Sequence, residues 1–305
     1  MKEHSGVQGN IFDIKRFSMH DGCGIRTLVF MKGCPLRCKW CENPESQEYR
    51  NQIWFNENLC IDCGECRKIC PSKANLQNKL YYEEDVCTKC ALCVMSCYSN
   101  ARKLVSRMYT IDEIIRLIMR DDTFYENSGG GVTIGGGEPT AQVQFVTTLL
   151  KELGRHKIHT AIETCGFCTW KCLRSVVEHC DLLLYDIKHI DSAKHIEGTH
   201  VGNEVILENA IKASKIVKDM IIRYPLILNY NSGEGELHEL ARFVSSRLRN
   251  VSKINILPYH EMGRPKYAYL CRQYRMRNNS QPDEDVLLRT VNILKGYGLE
   301  ISIIR

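Results

Sequence analysis

Three cysteines in one short loop, Cys34-x3-Cys38-x2-Cys41, do more than any other feature to limit what this chain of 305 residues can become. Three thiolates so placed can hold three irons of a 4Fe-4S cube and leave the fourth iron without a protein ligand. An open iron can be chelated by a molecule carrying an amine and a carboxylate, which makes the cluster a reaction centre rather than an electron wire. A zinc knuckle is the competing reading. Zinc asks for a fourth thiol or histidine at short spacing, and none lies between Cys41 and Cys60.

From Cys60 the composition changes abruptly. Cys60-x2-Cys63-x2-Cys66-x3-Cys70-Pro71 is followed by Cys87-x2-Cys90-x2-Cys93-x3-Cys97, an internal repeat with matching spacing. In the bacterial ferredoxin pattern the fourth cysteine of each run ligates the other run's cluster. That rule assigns Cys60, Cys63, Cys66 and Cys97 to one 4Fe-4S cluster, and Cys87, Cys90, Cys93 and Cys70 to a second. Two zinc ribbons are the alternative, although zinc sites rarely crowd four cysteines into so short a run.

The 17 cysteines do not read as a disulfide framework, because many sit in C-x-x-C spacings too tight to bridge easily. The chain begins Met1-Lys2-Glu3-His4 with no apolar signal stretch, so a reducing cytoplasm is the expected compartment. No apolar run approaches the roughly 18 residues of a membrane span, so no membrane partner is expected. The formal charge of +5 counts every cysteine as neutral. With the cysteines of the three motifs ligating as thiolates and three cubane cores at about +2 each, it falls to about zero. Charge therefore argues little for any partner. The basic run Arg272, Arg275 and Arg277 reads as a solvated face, with a docking surface as the alternative. No RNA-binding module or aromatic-basic surface is evident, so nucleic acid is not expected as a partner.

Hydrophobic content of 44% and the chain length suit one large α/β domain with a small insert. Residues 1–24 are polar, and Ile25 to Met31 reads as a first, buried strand with the three-cysteine loop at its C-terminal end. Thr110-Ile-Asp-Glu113 is a capping box opening a helix with Ile111, Ile114, Ile115, Ile118 and Met119 on one face. Val132 to Ile134 is a short strand, and Val143 to Leu153 follows helical spacing up to Gly154. Further strands are expected at Ile158 to Glu163, Leu182 to Ile187, Met220 to Pro225, Ile254 to Leu257 and Leu299 to Ile304. Helices near Asn203 to Val217, Leu237 to Leu248 and Asp283 to Lys295 separate the later ones. Repeated strand-helix units imply a parallel sheet, and about six units rather than eight imply a partial, open (βα)6-type barrel. The expected divisions are 1–51 (N-terminal segment, first strand and cluster loop), 52–104 (ferredoxin-like two-cluster insert) and 105–305 (the rest of the barrel).

Chemistry in such a sheet gathers at the C-terminal strand ends. Gly135-Gly136-Gly137-Glu138-Pro139 ends one strand. Its glycines let backbone approach a ligand closely and its carboxylate can take up an ammonium, although a glycine run before a helix is also a common turn. Glu163-Thr164, Asp186-Ile187-Lys188 and Arg223 end others, and each could equally be a rim charge in water. Cys165-x2-Cys168-x3-Cys172 is an inverted copy of the first spacing. It lacks a fourth ligand nearby and runs into a helix, so free cysteines are expected there, as at Cys180 and Cys271.

Cys34-x3-Cys38-x2-Cys41, with Trp40 before the last cysteine, resembles the signature of the radical S-adenosylmethionine (SAM) superfamily. Asp21-Gly22-Cys23-Gly24-Ile25-Arg26 and Phe30-Met31-Lys32-Gly33-Cys34 resemble flanking motifs of its glycyl radical enzyme activating enzymes. Cys23 stands where that family usually has proline, a change that bears on the loop rather than on the cluster. The resemblance implies a radical SAM barrel in which Cys34, Cys38 and Cys41 carry the catalytic cluster. It places SAM against Trp40, Cys41, Glu42, the amine-holding segment Gly136, Gly137 and Glu138, the segment Asp186, Ile187 and Lys188, and His260 of Pro258-Tyr259-His260. Glu163, Thr164 and Asp186 would form a monovalent-cation site beside the SAM carboxylate, where the better known pattern starts with Asp. Asp21, Gly22, Gly24 and Arg26 would grip the partner's glycine loop.

The implied activity is reductive cleavage of SAM to a 5′-deoxyadenosyl radical that takes a Cα hydrogen from one glycine of a glycyl radical enzyme. The implied cofactors are three 4Fe-4S clusters, two of them auxiliary and supplied by a flavodoxin or ferredoxin-type reductant, with SAM as cosubstrate. The phrases GGGVTIGGGEPTAQ, AIETCGF, DIKHID, VGNEVILEN and ILPYHEMGRPKY resemble most the choline trimethylamine-lyase activases. Activases of glycerol or diol dehydratase, of arylacetate decarboxylase or of a pyruvate formate-lyase-like enzyme stay open. A radical SAM peptide or RNA modifier would share Cys34 to Cys41, but auxiliary clusters in peptide modifiers usually lie C-terminal to the barrel. An electron-transfer protein would explain Cys60 to Cys97 and leave the glycine-rich segment unused.

Overall fold

A computed structural model describes residues 6–74, 86–276 and 280–304. Its strands, in chain order, are β1 (Gln8–Ser18), β2 (Arg26–Met31), β3 (Ile53–Phe55), β4 (Arg102–Leu104), β5 (Arg107–Thr110), β6 (Gly131–Gly136), β7 (His159–Thr164), β8 (Leu182–Asp186), β9 (Asp219–Leu226), β10 (Val251–Pro258) and β11 (Ile301–Ile303). The helices are α1 (Glu65–Lys68), α2 (Leu92–Met95), α3 (Ile111–Ile118), α4 (Asp122–Ser128), α5 (Val143–Arg155), α6 (Trp170–Val177), α7 (Ser192–Thr199), α8 (Glu204–Ala213), α9 (Glu234–Arg247), α10 (Arg264–Tyr269) and α11 (Glu284–Lys295). A large sheet runs in the order β11-β10-β9-β8-β7-β6-β2-β1-β5. From β2 to β11 every neighbouring pair is parallel. The linear order leaves the sheet open, the α/β architecture that the strand-helix repeats call for.

Period-2 alternation explains how one sheet serves both packing and chemistry. Ile162, Leu183, Tyr185 and Ile222 join the large core under the helices, with Phe145, Val146, Leu149, Leu150 and Leu153 of α5. Their neighbours Ala161, Leu182, Leu184 and Ile221 form a small apolar layer on the opposite face. Two residues further along the same strands, that inner face turns charged, with Glu163, Asp186 and Arg223. The capping box is present: Glu113 N–H donates to Thr110 Oγ1 and Thr110 N–H to Glu113 Oε2 at 2.8 Å.

Four strands, β1, β3, β4 and β5, escaped the sequence reading. The expected first strand is β2, and β1 precedes it, antiparallel to both β2 and β5. Its register slips between Ile11 and Asp13 and again between Lys15 and Ser18, and Phe17 has φ +62°, which breaks the alternation that marks a strand. The short helices α4, α7 and α10 were also unread, being too brief and polar for a clear 3.6-residue period.

The cysteine repeat lies between β3 and β4, an antiparallel pair of its own that matches Ile53 with Leu104 and Phe55 with Arg102. Its backbone repeats as its sequence does. Left-handed conformations recur at Asp62 and Lys89, at Gly64 and Ala91, and at Lys73 and Asn100. Gly64 and Ala91 each begin a one-turn helix, α1 and α2. No helix among the described residues is long and apolar enough to cross a membrane, and Arg277 lies outside the described residues.

Candidate active site

A cavity of about 370 Å³ opens at the C-terminal ends of the parallel strands, and Cys34, Cys38 and Cys41 line it together. Its walls include Trp40, Glu42, Gly136, Gly137, Glu163, Thr164, Asp186, Lys188, Arg223 and His260, so most of the expected site residues converge. Burial pushes all three thiols up, Cys41 to about 12, while the Lys188 ammonium pulls Cys38 and Cys41 down. Metal binding there must therefore displace protons that the protein alone would keep.

The cluster loop is clamped from both sides. Arg37 N–H donates to Thr199 O at 2.9 Å and Lys39 N–H to Gly198 O at 3.0 Å, which fixes the loop on the end of α7. From the other side Tyr267 Oη donates to Cys41 O at 3.0 Å, and Lys266 Nζ to Asn43 Oδ1 at 2.7 Å. Gly263 packs so closely that a Cβ would lie 2.8 Å from Glu42 Cα. Trp40 packs against Tyr230 with ring centroids 4.9 Å apart.

The glycine-rich segment meets this loop through backbone. Gly137 N–H donates to Met31 O at 2.8 Å and Glu138 N–H to Gly33 O at 2.7 Å. Gly136 sits at φ +99°, and a Cβ on Gly137 would lie 2.4 Å from Gly33 O. The Glu138 carboxylate does something other than the sequence suggested. It is buried outside the cavity walls, accepting from Thr140 N–H at 3.0 Å, Thr140 Oγ1 at 2.7 Å, Thr164 Oγ1 at 2.7 Å and Cys165 N–H at 2.8 Å. A carboxylate with these four donors is a brace between the β6 and β7 loops.

Lys188 Nζ donates to Asp186 Oδ2 at 2.8 Å. Burial is the largest single influence and opposes its charge, but Asp186, Cys38 and Cys165 together outweigh it and push the Lys188 pKa up. Ile187, between them, points into the core and donates its N–H to Arg223 O at 3.0 Å. Glu163 and Asp21 converge on Arg223 Nη1, at 3.1 and 2.9 Å. Burial pushes Glu163 up to about 7 while Arg223 pulls the other way. The three residues expected at a cation site thus already have partners: Glu163 has Arg223, Asp186 has Lys188, and Thr164 has Glu138.

Of the segment expected to grip a partner, only Asp21 lines the cavity. Arg26 is buried and spends its guanidinium within the chain, donating to Thr133 Oγ1 and Val132 O at 2.7 Å and to Cys23 O at 3.1 Å. Thr133 Oγ1 in turn donates to Asp21 O at 2.6 Å. Arg26 therefore shapes the loop that presents Asp21, and Gly24 permits it, since a Cβ there would lie 2.4 Å from Gly130 N.

In the insert, Cys60, Cys63, Cys66 and Cys97 line one small cavity with Phe55 and Arg102. Cys165, read from the sequence as a free cysteine, also lines the main cavity, and the sequence missed Tyr267, whose bond to Cys41 spans most of the chain. Tyr267 carries no local signal.

A family model described as the Radical SAM superfamily matches residues 87–244, and one for a 4Fe-4S binding domain matches residues 53–74. Over 97% of both chains the sequence is 41% identical to a choline trimethylamine-lyase activating enzyme of Oleidesulfovibrio alaskensis. The chain belongs to the radical SAM superfamily. Within it, the chain is one of the glycyl radical enzyme activating enzymes. A trans-4-hydroxy-L-proline dehydratase activating enzyme of Clostridioides difficile is also 41% identical, covering 91% of this chain and 93% of its own. The crystal structure of a domain of pyruvate-formate lyase-activating enzyme from Bacteroides vulgatus matches with TM-score 0.50 and 33% identity, covering 58% of this chain and 99% of that one. For a radical SAM activating enzyme the donor set fits its cofactors: three half-buried thiols without disulfide partners line the main cavity, and four more share the insert's.

Proposed function

We propose that this activating enzyme carries three 4Fe-4S clusters and installs a glycyl radical in choline trimethylamine-lyase. The single observation that carries the reading is the convergence of Cys34, Cys38, Cys41, Gly136, Gly137, Lys188 and His260 on one cavity whose far wall is Asp21 and Arg223. With a reduced cluster on the thiols, bound SAM supplies a 5′-deoxyadenosyl radical able to take a hydrogen from glycine Cα. The chain's own residues do the rest. Lys188 holds positive charge against the thiolates, and Trp40 and His260 wall the nucleoside space. Arg223 fixes Asp21 at the face a protein substrate must reach. Glycine suits the transfer because no side chain blocks its Cα.

Cys60, Cys63, Cys66 and Cys97 would hold one auxiliary cluster, and Cys70, Cys87, Cys90 and Cys93 the other. These would pass electrons inward from a small flavodoxin or ferredoxin-type donor in the cytoplasm, and the enzyme is an oxidoreductase in that sense. Resemblance over the full length of the choline trimethylamine-lyase activase favours that partner, while the equal identity to the hydroxyproline dehydratase activase supplies the second reading.

The test is anaerobic EPR of the reconstituted, reduced enzyme with SAM and purified choline trimethylamine-lyase, with 5′-deoxyadenosine quantified in parallel. A glycyl doublet with matching nucleoside is expected. Nucleoside without the doublet, followed by a doublet on the dehydratase, would move the partner assignment. No nucleoside from a fully loaded protein would overturn the activity.

A further inference from the structure

The inner face of the sheet carries two cavities stacked along the strands. Below the thiol-lined space, toward the N-terminal strand ends, a second cavity of about 460 Å³ is walled in part by Gly22, Cys23, Ile221 and Asn255. The two meet where β9 and β10 pair Arg223 with Asn255. There the chain also passes from Asp21, in the upper wall, to Gly22 in the lower.

Both paired side chains are buried. Each leaves one polar atom without a hydrogen-bond partner among the described residues: Arg223 Nε, a donor, and Asn255 Oδ1, an acceptor. Buried polar atoms are nearly always satisfied, so two orphans on facing residues call for a ligand that supplies both bonds. A peptide group offers one C=O and one N–H. The lower walls set Asp181, Asp219 and Glu300 against Lys253, with Asp181 already paired to Lys218, which disfavours an anion and leaves a neutral peptide group as the match for one donor and one acceptor.

We infer that Arg223 Nε and Asn255 Oδ1 hold one peptide group of the partner's glycine-bearing segment, which reaches the thiol-lined cavity by way of the lower one. The inference rests on the activase reading. It makes Asn255 a positioning residue whose amide oxygen anchors the segment away from the reacting glycine. Arg223 shares that task through Nε while its Nη1 holds Asp21.

The test compares wild type, Asn255→Leu and Asn255→Asp as reconstituted holoenzymes, with choline trimethylamine-lyase as partner and glycyl radical formation followed by EPR. Leucine fills the volume without an acceptor, and aspartate restores an acceptor oxygen. For Asn255→Leu the KM for the partner should rise about tenfold with kcat little changed, as for one lost buried hydrogen bond. Asn255→Asp should recover most of it. An unchanged KM in Asn255→Leu, or equal losses in both variants, overturns the inference while leaving the activase reading intact. Wild type that forms no radical on any glycyl radical enzyme overturns the activase reading itself.

Discussion

The Cys165 backbone N–H donates to Glu138 Oε2 at 2.8 Å, and through that bond the loop after β6 is locked to the loop after β7. The other carboxylate oxygen takes three further donors from Thr140 and Thr164. Glu138→Gln keeps the size but replaces one acceptor with a donor facing donors. It should lower unfolding stability by about 1–3 kcal/mol. Urea denaturation of the two proteins, prepared anaerobically, measures the difference, and equal midpoints would mean that the brace carries no stability.

Gly137→Ala tests the contact between the glycine-rich segment and the cluster loop. The new methyl would lie 2.4 Å from Gly33 O, a backbone atom with no side-chain freedom to retreat. Loss of about 1–3 kcal/mol is expected, with lower iron retention at the three-thiol site. Gly154→Ala is the control, because a Cβ there meets nothing within 4 Å in the last turn of α5. That change should be neutral or stabilise by up to about 1 kcal/mol. If both variants lose iron equally, the loss is not specific to the contact.

Cross-ligation in the insert can be read from matched variants. Cys97 shares a cavity with Cys60, Cys63 and Cys66, so Cys97→Ser and Cys60→Ser should perturb the same EPR signal of the reduced protein. Cys70→Ser should pair with Cys87→Ser. A Cys97→Ser spectrum matching Cys87→Ser instead would show that each run keeps its own fourth thiol.

Acid sensitivity should include a part traceable to Asp121. Arg16 donates to this carboxylate through Nε at 2.7 Å, and Thr27 Oγ1 donates at 3.1 Å. The Arg16 bond is the main cause that holds its pKa below the ordinary value, against the pull of burial. A depressed folded pKa gives stability that is present above the unfolded value of about 3.9 and is lost as pH falls through the folded one. The stability gap between wild type and Asp121→Asn should therefore be constant at neutral pH and shrink below about pH 4. Denaturation of the apoproteins across that range decides it, and a gap that is flat down to pH 3 would falsify the assignment.

Ligand spacing is a local property, and for that reason the cysteine motifs were legible from the chain alone. So were the long core helices, where Phe145 to Leu153 carry their own period. The rest depended on distance along the chain. Arg26, Glu138 and Ile187 sit inside motifs that suggest ligand contact, yet Thr133 and Cys165 claim the first two side chains and the apolar core claims the third. Asp21 and Arg223 meet across 202 residues, and no window of sequence holds both. The irregular β1 shows the same limit, since its bulges make sense only against the register of β2.

The insert leaves and rejoins the large sheet through β3 and β4, and Val105 N–H donates to Gln52 O at 2.9 Å where the two crossing points meet. A module tethered at neighbouring points can be added to a host or deleted from it without rethreading anything else. The cysteine-rich module and the thiol-lined site can therefore vary independently of one another.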